Sequence, residues 1–132
     1  MSQDFEAIIE ELTENNPRYH EDAYEFVMEA LQYTQKKFKS VAHVSGEEML
    51  EGMRDLLLKQ YGPMARTVLQ YWGIKGTEDF GQIVFDLVER KVLSKTEKDS
   101  IDSFRNAYDF AEVFDNGYRK ELAKKIKKMR SI

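Results

Sequence analysis

HVSGEEMLEGMRDLLLKQYGPMARTVLQYWGIKGTEDFGQIVFDLVERKVL, residues His43 to Leu93, reads as three helices with their start and stop signals written between them. Ser45 is placed to cap the first, Glu48 three residues on closes a capping box, and Val44 with Met49 makes a hydrophobic staple. At about 100° per residue, Met49, Leu50, Met53, Leu56, Leu57 and Tyr61 share one side, and Glu47, Glu48, Glu51, Asp55 and Lys59 the other. Leu58 falls among the polar residues. Gly62 suits a left-handed position after the helix, and Pro63 ends one helix while suiting the first turn of the next. The second helix is expected from about Pro63 to Trp72, with Met64, Ala65, Val68, Leu69 and Trp72 along a stripe, Tyr71 off it, and Gly73 then Ile74 as its stop. Thr77 is expected to cap the third, with Glu78 and Asp79 at the positive end of its dipole. Phe80, Ile83, Val84, Leu87 and Val88 give it the clearest amphipathic spacing in the chain, and Glu78, Asp79, Gln82, Asp86, Glu89 and Arg90 form its outer face.

Outward from this centre, Ser2 is placed to cap a first helix whose Phe5, Ile8, Ile9 and Leu12 share a face, a lid on the core that Asn15, Asn16 and Pro17 end. A helix from about Glu21 to Lys37 has an apolar arc so wide that it must be covered from more than one side. Val41 to Val44 alternates long enough for one short strand or an extended linker. After Leu93, Ser94 with Glu97 and Thr96 with Asp99 each offer a helix start, whereas Phe104 to Phe110 reads equally as half of a small hairpin. Asp109 and Glu112 then form a capping box for a last helix, which Asn116 and Gly117 threaten to interrupt. Ala111, Phe114, Tyr118, Leu122, Ile126 and Met129 share its apolar face, most simply explained by packing on the domain. The expected fold is a mainly α, single compact bundle of about five to seven helices spanning residues 1–132, with or without a winged-helix-like β-hairpin after Leu93 and with a basic helical tail over 118–132.

The chain is one domain's worth at 132 residues, and 42% hydrophobic residues supply a real core. It holds no apolar run of membrane-spanning length, and its first residues are acidic where a signal peptide would be basic. Without Cys, disulfides and thiolate metal sites are excluded, and a reducing cytoplasm is the simplest location. The formal charge of −4 hides an acidic head and a basic tail. Charge runs of this kind are usually solvated faces.

Several blocks, YEFVMEAL (Tyr24 to Leu31), HVSGEEMLEGMRD (His43 to Asp55), YGPMARTVLQYWGI (Tyr61 to Ile74), TEDFGQIVFDLV (Thr77 to Val88), SKTEKDS (Ser94 to Ser100) and YDF (Tyr108 to Phe110), resemble an uncharacterised family of short bacterial proteins. The resemblance covers most of the chain and implies a compact domain, with no activity, cofactor or site attached to it. In such proteins a glycine is expected where Lys91 stands, and Val92 replaces one of a leucine pair, which counts against a tight left-handed turn after the third helix.

Candidate chemistry is sparse. His20 and His43 are the only histidines, and their spacing matches no metal motif; His43 reads as ordering the linker and His20 as a solvent-facing residue at a helix start. The paired carboxylates each explain themselves as caps, dipole partners or solvated faces. There is no phosphate loop, GxSxG elbow, HExxH or nucleotide fingerprint, so the expectation is no enzyme, no cofactor and no metal. A winged-helix order would make Arg66 and Lys75, with tail residues Lys120, Lys124, Lys127 and Lys128, the anion or nucleic-acid contacts. Against it, the third helix would offer carboxylates to phosphates. The favoured reading is a protein-interaction or self-associating adaptor domain, with Leu58 and Tyr71 as its partner surface because each lies off the apolar stripe of its helix; the alternative is a nucleic-acid binder using the basic tail.

Overall fold

In a computed structural model of the chain, which describes residues 4–39, 44–93 and 101–130 and leaves out the side chain of residue 101, the arc-wide helix α2 (Glu21–Lys37) is the centre. Ala23, Tyr24, Phe26, Val27, Ala30, Leu31 and Thr34 are all buried along it. It packs most extensively against α3 (Gly46–Tyr61), touches α5 (Thr77–Glu89) on another side, and is covered by α1 (Phe5–Asn15) on a third. The architecture is all-α, a compact helical bundle without a strand among the described residues.

Local signals set most helix ends. Ser45 Oγ accepts from the Glu48 amide at 3.1 Å while the Glu48 carboxylate accepts from the Ser45 amide at 2.9 Å, closing the expected box, with Val44 and Met49 buried beside it. Gly62 ends α3 with φ +49 and ψ −122, a conformation open to glycine rather than the left-handed helical one expected. The expected second helix divides in two, a 3-10 turn (Gly62–Met64) with Pro63 in it and then α4 (Ala65–Tyr71). The tighter winding shifts the phase of the turn, and Met64 faces solvent instead of joining the stripe of Ala65, Leu69 and Trp72. After α4 the Ile74 amide donates to Leu69 O at 2.9 Å and the Gly73 amide to Gln70 O at 3.1 Å, with Gly73 at φ +84: a Schellman stop whose two apolar partners, Leu69 and Ile74, are buried.

Four expectations change here. α5 is capped from Gly76 rather than Thr77; Thr77 lies inside the first turn, and its Oγ1 accepts from the Ala107 amide at 2.9 Å, tying the late loop to α5. A left-handed turn does follow α5, because Lys91 adopts φ +61, with Val92 N donating to Leu87 O at 2.8 Å and Lys91 N to Val88 O at 2.9 Å. The two bonds to the orphan carbonyls hold a lysine where glycine would be easier. Residues Phe104 to Phe110 are no hairpin strand: a 3-10 turn (Ile101–Phe104) leads through irregular chain to a helix start at Phe110. The first helix is capped from Asp4 rather than Ser2, since Asp4 is extended and its carbonyl accepts the first helical bond, from the Ile8 amide at 3.1 Å; the alternation at Val41 to His43 and the helix starts at 94–100 lie outside the described residues.

Candidate interaction surface

The last helix starts as part of the core and finishes outside it. Phe110 and Phe114 are buried and pack edge to face at 5.5 Å between centroids, Phe80 of α5 lies 5.8 Å from Phe110, and Tyr108 donates its hydroxyl to Leu50 O of α3 at 3.0 Å. Asn116 of this segment gives its side-chain amide to Glu112 at 3.0 Å, so the Glu112 carboxylate is used one turn on rather than in the expected capping box. Ala111–Asn116 is wound as a π-helix, with the Gly117 amide reaching back to Glu112 O, and the helix continues unbroken as α6 (Gly117–Arg130). The wider turn falls where Asn116 and Gly117 were expected to interrupt the helix.

From Gly117 to Arg130 no residue is buried. Leu122 is 42% exposed, Ile126 48% and Met129 71%, which corrects the expectation that this stripe packs on the domain. The reason is geometric: α6 is about 21 Å long, and past the aromatic anchor at Phe114 it meets α3 across an open groove rather than in close packing. Around the stripe, α6 carries seven Lys and Arg against Glu121 alone. Lys120, Lys124, Lys127 and Lys128 are all exposed, and Lys124 lies 3.7 Å from Glu121.

Leu58, half-buried on α3, borders a groove of ≈ 230 Å³ with Tyr118 and Leu122. One of the two partner-surface residues read from the sequence therefore joins the exposed stripe. Tyr71, 69% exposed, has other company: its ring lies 4.9 Å from that of His20, with the hydroxyl 3.4 Å from Nε2. His20 is the N-cap of α2, its Nδ1 accepting from the Asp22 amide at 3.0 Å, so it is a structural cap and not simply a solvent-facing side chain. His43 lies outside the described residues.

Arg66 gives its guanidinium to Asp115 at 2.6 Å, tying α4 to the base of the last helix, so it is held by a carboxylate within the fold. Lys75 is exposed, but its backbone N–H donates to Asp79 at 2.7 Å. Sequence reasoning put Asp79 on the outer face of α5, yet it is 6% exposed. Its carboxylate accepts from Tyr19 Oη at 2.6 Å, Arg18 Nη2 at 2.8 Å and the amides of Lys75 and Gly76. Asp86 likewise receives the Tyr24 hydroxyl at 3.1 Å. Burial first, then the neighbouring carboxylate, pushes the Tyr19 and Tyr24 phenols well above their ordinary range. No periodicity reveals this network, because Arg18 and Tyr19 lie in the break between α1 and α2; the PRY run after Asn16 was its only trace.

Among the described residues no group of three or more His, Cys, Asp and Glu is arranged to hold a metal ion, and no helix is long and apolar enough to cross a membrane. The geometry thus defines an all-helical domain with a projecting, amphipathic, basic helix. No protein-family model matches the chain, and comparisons with curated proteins and with solved structures find no match.

Proposed function

We propose that this is a non-enzymatic, cytoplasmic interaction or adaptor domain that presents α6 as its docking element. The carrying observation is the exposure of Leu122, Ile126 and Met129 on a helix with no buried residue. Phosphate binding would need the cations alone, whereas an apolar stripe on an exposed helix is stabilised only when another apolar surface covers it. The groove beside Leu58 extends that surface onto α3. The chain's polar groups support the non-enzymatic reading, since His20 and Asp79 are each occupied in holding helix ends.

The test is a photo-crosslinking side chain placed at Ile126 of the full chain in cells, with exposed Glu47 as the control position. Protein adducts at Ile126 and not at Glu47 are expected. Adducts to nucleic acid only, with retention on a random DNA duplex that falls steeply with salt, would overturn the proposal in favour of a nucleic-acid binder.

A further inference from the structure

Resting on that reading, we infer that the surface α6 docks on is a second copy of this chain, in the groove between α1 and α2, each copy seating its helix on the other. The whole chain has a formal charge of −4, and residues 117–130 hold seven Lys and Arg against one Glu, so the remainder carries −10. Two α6 helices repel one another, whereas the acidic body of another copy is an electrostatic complement to α6. That body has a site of the right form. A groove of ≈ 370 Å³ between α1 and α2 is walled by Glu6 and Glu10 on one helix and Glu21 and Glu25 on the other, with Ile9 among its lining residues. Each pair is spaced i, i+4, where like charges repel, and none of the four is in an ion pair with a described residue.

The helix matches it. At about 100° per residue, Lys125 flanks one edge of the Leu122, Ile126 and Met129 stripe, and Arg119 and Arg130 flank the other. The two cationic edges of the ridge face the two carboxylate rows, with Ile9 beneath them. In its own copy α6 has its main backbone contacts with the π-helical segment at its base and lines a groove with Leu58 and Lys59 of α3, whereas the acidic groove lies between α1 and α2. Reciprocal exchange is isologous and closes at two copies.

The experiment is light scattering and sedimentation equilibrium on the full chain, at low salt and in about 0.5 M salt, where the screening length falls to a few ångströms. A dimer at low salt that weakens roughly tenfold or more at high salt is expected, with Ile126→Asp, at an exposed position, weakening it similarly. The decisive step uses two charge-reversed proteins, R119E/K125E/R130E and E6K/E10K/E25K, each checked for helicity and melting. Each alone should be monomeric, and their mixture should restore a dimer, because the reversed helix then meets the reversed groove and the unaltered helix the unaltered groove. A wild-type chain that is monomeric up to ~1 mM, well above ordinary specific affinities, overturns the inference, as does a mixture that fails to associate or a dimer indifferent to E6K/E10K/E25K. A monomeric wild type whose Ile126 probe still captures protein ends self-association alone; a monomer without such adducts ends the interaction reading too. Flotation with anionic vesicles by a monomeric wild type would redirect α6 to a lipid surface and also overturn the inference.

Discussion

Replacing Gly52 by alanine sets helix propensity against packing, and the two give opposite signs. Gly52 is a buried residue in the middle of α3, where alanine is favoured over glycine by about 1 kcal/mol. A Cβ there, however, would lie 1.8 Å from Thr34 Oγ1, 2.9 Å from Thr34 Cβ and 3.3 Å from its Cγ2, against an optimal separation of about 3.5–4.0 Å. Thr34 is fully buried on α2 and its hydroxyl donates to Ala30 O at 2.6 Å. Turning its side chain exchanges the oxygen for a methyl group and leaves the Cβ contact untouched, so α2 and α3 must separate. Overpacking of this kind costs about 1–3 kcal/mol, occasionally more. At the upper end, and after subtracting the propensity gain, Gly52→Ala should destabilise the protein by about 2 kcal/mol, or roughly 8 °C in Tm for a domain of this size. Urea and thermal unfolding followed by helical ellipticity measure it. Thr34→Ala removes Oγ1 and Cγ2 but not the Cβ, so the double variant should recover part of the loss, with a coupling of roughly 1 kcal/mol in a mutant cycle. A Gly52→Ala protein more stable than wild type, or one that Thr34→Ala does not relieve, would refute the close crossing of these helices.

The opposite glycine exchange should stabilise: Lys91→Gly relieves a non-glycine residue at φ +61, and an increase of roughly 0.5–1 kcal/mol is expected in the same unfolding experiment. An unchanged or lower midpoint would show that lysine is at ease there. For pH, burial is the first cause that raises the phenols of Tyr19, Tyr24 and Tyr108, with Asp79 and Asp86 adding to the first two. A phenol whose folded pKa lies above its unfolded value contributes stability that is present below about pH 10 and lost as pH rises beyond it. Ultraviolet titration should therefore find these three of the seven tyrosines ionising only with loss of helical ellipticity, and seven phenolates formed near pH 10 with the fold intact would contradict it.

Much of the bundle was legible because its signals are local. The capping box at Ser45 and Glu48, the Schellman stop at Gly73 and the bounds of α2 each depend on residues within a turn or two of one another, and the interactions that set them operate before any tertiary contact forms. Periodicity likewise named the faces of α3 and α5 that became the core. It could not say what lies opposite a face. Asp79 has the pattern of a solvated acid and is buried because Arg18 and Tyr19, sixty residues away, close over it. Leu122, Ile126 and Met129 have the pattern of a core face and are exposed because past Phe114 the helix meets an open groove and solvent rather than packed side chains. Gly52 is a poor helix residue until Thr34 arrives at its α-carbon. Spacing along one helix fixes which side chains share a side, since it is set by backbone geometry alone; whether that side meets protein or water depends on where the other helices stop, which only the assembled tertiary structure decides.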